Sequence, residues 1–207
     1  MSKEQQDPIL EWILNPDTQA EGFESLIKTY REPLYWHIRR LVVSHEDAED
    51  ALQNTFMNVY RSIDTFRRDS SLRTWLYKIA TNEALTILRN RKLEYTSYDN
   101  EACEQLIDRL YADNEIDGDN ILLKFQEAIL RLPPKQQLVF NLRYYDEMSY
   151  EEISQLTGTS VGSLKTGYHY AAEKIKKYMM DSQIWKKKIL NVISRKKNTL
   201  TLLWRIK

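Results

Sequence analysis

The run SYEEISQLTGTSVGSLKTGYHYAAEKIKKYMM, Ser149 to Met180, constrains the fold more tightly than any other stretch. Ser149 followed by Glu152 is a capping box: each side chain satisfies the other residue's free amide, so a helix starts there. Ile153 and Leu156 give that helix an apolar side, and Gly158 stands where a left-handed residue would end it. Ser160 can cap a second helix, in which Leu164, Tyr168, Ala171, Ala172, Ile175 and Met179 recur at helical spacing. Gly162, Ser163, Lys165, Thr166, His169 and Lys174 fall off that stripe. Two helices at a steep angle, the second opening on small polar residues and a lysine, fit a helix-turn-helix that reads DNA. The second helix's N-terminal amides and partial positive charge suit a phosphate. A plain helical hairpin is the other reading of this stretch by itself.

The remainder is also helical in pattern. Glycine and proline number only 5 each, and helix formers dominate, so the expected class is all-α. Pro8 to Leu14 forms a short helix stopped by Asn15-Pro16. Phe23 to Val43 is amphipathic, with Pro33 expected to kink or divide it. Ser44 caps the next helix, whose inward stripe is Leu52, Phe56, Val59, Ile63 and Phe66. Glu46, Asp47, Glu49, Asp50 and Gln53 crowd the outer side of its first turns. Carboxylates at a helix start are each stabilising by roughly 0.3–1 kcal/mol, which accounts for two of them. The excess reads as a surface for a basic partner. After the loop Arg67 to Ser71, a third long helix runs to Lys92 on a core side that includes Leu72, Trp75, Leu76, Ile79 and Leu88. Lys78, Asn82, Arg89 and Lys92 share its other side, and Arg89, Arg91 and Lys92 make its end basic. Those cations suit either the helix dipole or phosphate contact.

From Glu94 the chain turns acidic and nearly free of lysine and arginine, with Leu106, Ile107 and Leu110 able to anchor a short helical turn. Ile121 to Leu132 is again helical; Pro133 stops it, and Pro134 suits the first turn of the next helix, where Leu138, Val139, Leu142 and Tyr145 face in. The expected organisation is two small helical domains, 1–93 and 120–181, joined by an acidic linker, 94–119, and followed by a basic amphipathic tail, 182–207. The tail has no acids and carries Trp185, Ile189, Leu190, Ile193 and Trp204. It suits a partner, an anionic membrane surface, nucleic acid or its own domain. A net charge of zero argues against a uniformly basic coat. Cys103 is the only cysteine, the N-terminus has acids where a signal peptide has none, and no apolar run is long enough to span a bilayer. A cytoplasmic protein is expected. Phosphate-cradling glycine loops and nucleophile elbows are missing, and His37, His45, His169 and Cys103 make no metal-ligand pattern. The expectation is therefore a non-enzyme with no catalytic residue, metal, cofactor or small-molecule substrate. A stand-alone helix-turn-helix regulator, dimeric on a palindrome, is the rival class.

Three blocks together resemble the bacterial RNA polymerase sigma factors. DAEDALQNTFMNVYRSIDTFR, Asp47 to Arg67, resembles their polymerase-binding segment; SLRTWLYKIATNEALTILRNRK, Ser71 to Lys92, resembles the segment that melts and reads the promoter −10 element; Leu130 to Met179 resembles the −35-reading domain. The missing middle domain points to the extracytoplasmic-function group. The resemblance implies that Asp47, Asp50, Gln53 and Phe56 meet the β′ clamp helices of core RNA polymerase, with the β flap as a second contact. It implies that Phe66, Arg67, Arg68, Asp69, Ser70 and Ser71 form the loop that captures a flipped −10 base, and that Asn82, Arg89 and Arg91 touch the −10 strand. It puts Trp75 and Tyr77 in the aromatic segment linked to melting, where Trp75's place on the apolar stripe favours a core role. Ser160, Gly162, Ser163, Lys165, Thr166 and His169 would face the −35 DNA. Core polymerase, promoter DNA and an anti-sigma factor are the implied partners. The chain departs from the family pattern at Gly167 and Tyr170, where arginine is usual, and at Ser154 and Leu164. Fewer cations there predict weaker phosphate anchoring and a smaller salt slope.

Overall fold

The computed structural model describes residues 7–94, 99–112 and 120–181, with side chains described at 7–90, 103–112 and 121–181. The tail at 182–207 and most of the expected linker's flanks lie outside the described residues. The described chain is helical and, among those residues, holds no strand. Its elements are α1 (Pro8–Leu14), α2 (Gln19–Val42), α3 (His45–Ser62), a 3₁₀ turn (Ile63–Thr65), α4 (Leu72–Glu94), α5 (Asp99–Ala112), α6 (Asn120–Leu130), α7 (Pro134–Tyr144), α8 (Tyr150–Thr157) and α9 (Val161–Asp181).

Local chemistry sets the helix starts. The Asp7 carboxylate accepts from the Ile9 amide at 3.1 Å. The Ser44 hydroxyl accepts from the Asp47 amide at 3.3 Å, and the Ser71 hydroxyl from the Thr74 amide at 3.1 Å. The capping box of α8 is complete: the Glu152 amide donates to Ser149 Oγ at 3.2 Å, and the Ser149 amide donates to Glu152 Oε2 at 2.7 Å. Gly158 ends α8 at φ 70°. Pro33 was expected to kink or divide its helix, yet α2 runs through it undivided. The missing amide deprives the Thr29 carbonyl of its helical partner, and both residues are exposed, so that carbonyl is left open to solvent and not buried unpaired.

Packing places the elements. Gly22 of α2 lies so close to α1 that a Cβ there would sit 2.6 Å from the Ile13 backbone nitrogen. Gly22→Ala is expected to lower stability by about 1–3 kcal/mol, because displacing backbone outweighs the helix propensity alanine gains. A fall in Tm by calorimetry checks it. One core joins Leu26, Leu34 and Ile38 of α2, Leu52 and Val59 of α3 and Leu76 and Ala80 of α4. Val139 and Leu142 of α7, Met148 of the α7–α8 turn, Ile153 and Leu156 of α8, and Leu164 of α9 belong to that same core. A second core gathers Ile129, Leu132, Phe140, Ala171, Ile175 and Met179. α7 is thus buried on two sides, with Phe140 turned to the second core and stacked between Tyr144 and Tyr168. Phe140 was not among the inward residues read from spacing.

Where only a short helical turn was expected, α5 spans Asp99–Ala112. Cys103, Leu106, Ile107 and Leu110 form a narrow stripe that docks on Val43, Leu123 and Leu130. Glu127 of α6 fastens it. Its carboxylate accepts from Tyr111 of α5 at 2.5 Å, Lys124 at 2.5 Å and Arg131 Nη2 at 3.1 Å, and from Tyr178 of α9. Burial alone would raise the Glu127 pKa; the hydrogen bonds from Lys124, Tyr111, Tyr178 and Arg131 outweigh that and bring it down to about 2.

Candidate nucleic-acid and polymerase interfaces

α3 presents Glu46, Asp50 and Gln53 to solvent, while Phe56 is half-buried against the core. Asp47 departs from the expected outward row. Its side chain keeps only 14% exposure, and its carboxylate lies 3.9 Å from Arg109 Nη1. The cause is α5, whose docking on Val43 brings Arg109 across the start of α3. Glu49 is paired at 3.7 Å with Arg31 of α2.

The loop between α3 and α4 carries exposed Arg67, Arg68 and Asp69, with Ser70 partly covered and Ser71 capping α4. Arg68 sits at φ 59°, a left-handed conformation uncommon outside glycine. Phe66 is half-buried, its ring 5.0 Å from that of Trp75, so both aromatics wedge the loop against the core. Asn82 and Arg89 are exposed on α4, and Arg89 reaches Thr86 Oγ1 at 3.5 Å. The Arg91 side chain lies outside the described residues. Tyr77 is 3% exposed, and burial pushes its hydroxyl pKa up to about 12. It is packed away in this arrangement and offers no stacking face.

α9 shows its off-stripe residues to solvent: Gly162, Ser163, Lys165, Thr166 and His169 are all exposed. Ser160 Oγ accepts from the Ser163 amide at 3.3 Å, so the cap holds the helix start in place. The Lys165 ammonium lies 5.8 Å from the centre of the Tyr150 ring, which also meets the Arg143 guanidinium at 5.5 Å. A Cβ at Gly162 or Gly167 would meet nothing within 4 Å, so neither glycine is demanded by packing.

One constellation escaped the sequence reading. Asp146, in the turn between α7 and α8, is buried against His37 and Arg40 of α2 and Arg73 of α4. The only trace in the sequence is that Arg73, Tyr77 and Thr81 recur every four residues and that His37 interrupts an apolar stripe. Among the described residues, no cluster of three or more His, Cys, Asp or Glu could hold a metal ion, and no helix is long and apolar enough to cross a membrane.

Residues 26–94 match the family model for Sigma-70 region 2, and residues 122–175 match that for Sigma-70, region 4. The chain is 30% identical over 169 residues to the ECF RNA polymerase sigma factor SigW of Bacillus subtilis (strain 168), covering 78% of this chain and 90% of that protein. It is 32% identical over 184 residues to the ECF RNA polymerase sigma-E factor of Escherichia coli (strain K12), covering 84% of this chain and 95% of the relative. Among solved structures, the fold is similar to the sigma factor RpoE in complex with the anti-sigma factor NepR from Bartonella quintana (TM-score 0.60, 21% identity, 78% of this chain and 98% of that one). It is equally similar to CnrH in complex with the cytosolic domain of CnrY (TM-score 0.60, 20% identity, 84% and 97%).

Proposed function

This chain belongs to the ECF (extracytoplasmic-function) group of RNA polymerase sigma factors, and from that premise we propose how its surfaces divide the work of promoter-specific transcription initiation. Asp50 and Gln53, with Phe56 behind them and Asp47 once α5 gives way, meet the clamp helices of the polymerase β′ subunit; the β flap supports the second domain. The loop from Phe66 to Ser71 takes the flipped −10 base, with Asn82, Arg89 and Arg91 along the strand. Ser160, Gly162, Ser163, Lys165, Thr166 and His169 face the −35 groove. On this reading residues 1–93 and 120–181 are the two working domains, with 94–119 as linker and 182–207 as a basic tail. The chain acts in the cytoplasm and does no chemistry of its own, since polymerase supplies it. By analogy with the neighbours solved with an anti-sigma factor or another protein's cytosolic domain, an inhibitory protein partner is proposed.

The observation that carries this reading is the open side of α9, where Ser163, Lys165, Thr166 and His169 stand exposed on a capped helix start. Two tethered weak readers multiply their affinities through effective concentration, which suits a chain of zero net charge. Purified core polymerase, with and without this protein, on a pool of genomic fragments from its host tests the whole. Start sites dependent on the protein are expected. If none appears and the protein does not bind core polymerase, the reading fails. Lys165→Ala is expected to weaken binding to a −35 duplex by about 10-fold and to flatten its salt dependence by about one unit of slope, with polymerase affinity unchanged. Fluorescence anisotropy across a salt series measures it.

A further inference from the structure

We propose that the contact of Asp146 with His37, Arg40 and Arg73 is an autoinhibitory clasp: it holds the two DNA-reading units together in the free protein and must part before both promoter elements are read. The proposal rests on the promoter-reading role given above.

The clasp is a polar contact built between apolar surfaces. Asp146 has a side-chain exposure of 3%. Its Oδ2 lies 2.7 Å from His37 Nδ1, and its Oδ1 accepts from Arg40 Nη1 at 3.2 Å. The Asp146 carbonyl accepts from Arg73 Nη2, and the same guanidinium reaches Glu152 of α8 at 3.8 Å. The Arg40 guanidinium also lies 4.2 Å from the centre of the Tyr145 ring. Thr81 Oγ1 gives its proton to the Tyr77 carbonyl at 2.7 Å, so at 2.9 Å it accepts one from His37 Nε2. His37 thus bridges Thr81 and the Asp146 carboxylate, one ring nitrogen to each, which fixes the ring across the contact.

This arrangement is incompatible with the extended DNA-bound state. The names of the two promoter elements set them about 25 base pairs apart, roughly 80 Å along B-form DNA. Domains of this size have radii of gyration of only about 11–12 Å. Here α8 and Leu164 share a core with α4, so the units touch. Reading both elements at once requires that they separate.

Two features mark the contact as made to open. An open cleft of about 540 Å³, lined by Trp36, Arg40, Arg73, Tyr77, Tyr145 and Asp146, runs beside the clasp, so water can take over its charges as they part. Asn141 is fully buried, and both its amide oxygen and nitrogen lack a hydrogen-bond partner within the protein. Helical spacing puts it on the side of α7 that carries Leu138, Leu142 and Tyr145, toward α2. Its burial penalises the closed state, and opening relieves it.

The test uses the full chain with Cys103→Ser, and donor and acceptor dyes on Glu11→Cys in α1 and Lys177→Cys in α9, both exposed positions. The free protein is expected to show high energy transfer that falls when core polymerase is added. Asp146→Ala, or Arg40→Gln from the other side of the contact, is expected to raise the open-to-closed ratio by about 10- to 100-fold, so that transfer falls without polymerase. Asn141→Leu is expected to act oppositely, keeping transfer high and raising the polymerase concentration needed to lower it. Far-UV circular dichroism identifies the variants that remain folded. Low transfer in the free wild type, or wild-type transfer in a folded clasp variant, overturns the proposal. These readings in the free protein need no transcription, so their failure is distinct from failure of the promoter-reading role.

Discussion

Asp50→Arg is expected to weaken binding to core RNA polymerase by at least about 100-fold, because placing like charges across an interface costs several kcal/mol. Asp50 stands exposed on α3, one turn before Gln53, and no other described group is needed to hold it. The substitution therefore leaves the fold alone; exposed sites of this kind shift stability within about 0.5 kcal/mol. The measurement is a titration of labelled protein with core polymerase at low and moderate salt, beside a thermal melt. Loss of binding with an unchanged melt is the expected pair of results. Unchanged binding would move the polymerase contact off this face of α3. Asp47→Arg is predicted to be less clean, because Asp47 also lies 3.9 Å from Arg109 and its reversal would disturb α5.

Glu127→Gln is expected to destabilise the fold by about 2–3 kcal/mol at neutral pH. Glu127 is 4% exposed and accepts from two phenols and two cations, so an amide in its place leaves Lys124 and Arg131 without their countercharge. The wild type has a matching pH signature. The folded-state pKa of about 2 lies below the ordinary value of 4.5. The carboxylate's contribution, on the order of 3 kcal/mol, is therefore fully present above the ordinary value and is lost as the pH falls from there through about 2. Urea unfolding at pH 7, 4 and 3 should show the variant less sensitive to acid than the wild type, with the two converging at the acid end. Parallel curves at all three values would mean that another group dominates the acid limb.

Local chemistry made much of the fold legible in advance. Capping serines at 44, 71, 149 and 160 and the left-handed glycine at 158 act within a few residues, so spacing alone located those helix boundaries. The exposed row on α9 followed from the same periodicity. What spacing missed depends on contacts distant in sequence. The Cys103, Leu106, Ile107 and Leu110 stripe of α5 is too narrow to declare a helix until Val43 and Leu130 cover it. Asp47 looked outward because nothing in its own helix foretells Arg109, and α2 passes Pro33 because the affected carbonyl is at the surface. Asp146 and His37 are 109 residues apart, a pairing that no local pattern encodes.

The two-sided burial of α7 bears on how members of this family can be recombined. Val139 and Leu142 complete the interior built by α2, α3 and α4, while Phe140, one step around the same helix, completes the other. A chimera cut in the stretch after α4 would import a foreign α7 along with a foreign promoter preference. Its hybrid would keep the grafted reader well packed yet meet the recipient with the wrong side chains. Exchanging specificity cleanly thus calls for transplanting the matching sides of α2 and α4 with the reader, since Met148, Ile153, Leu156 and Leu164 share that interior too.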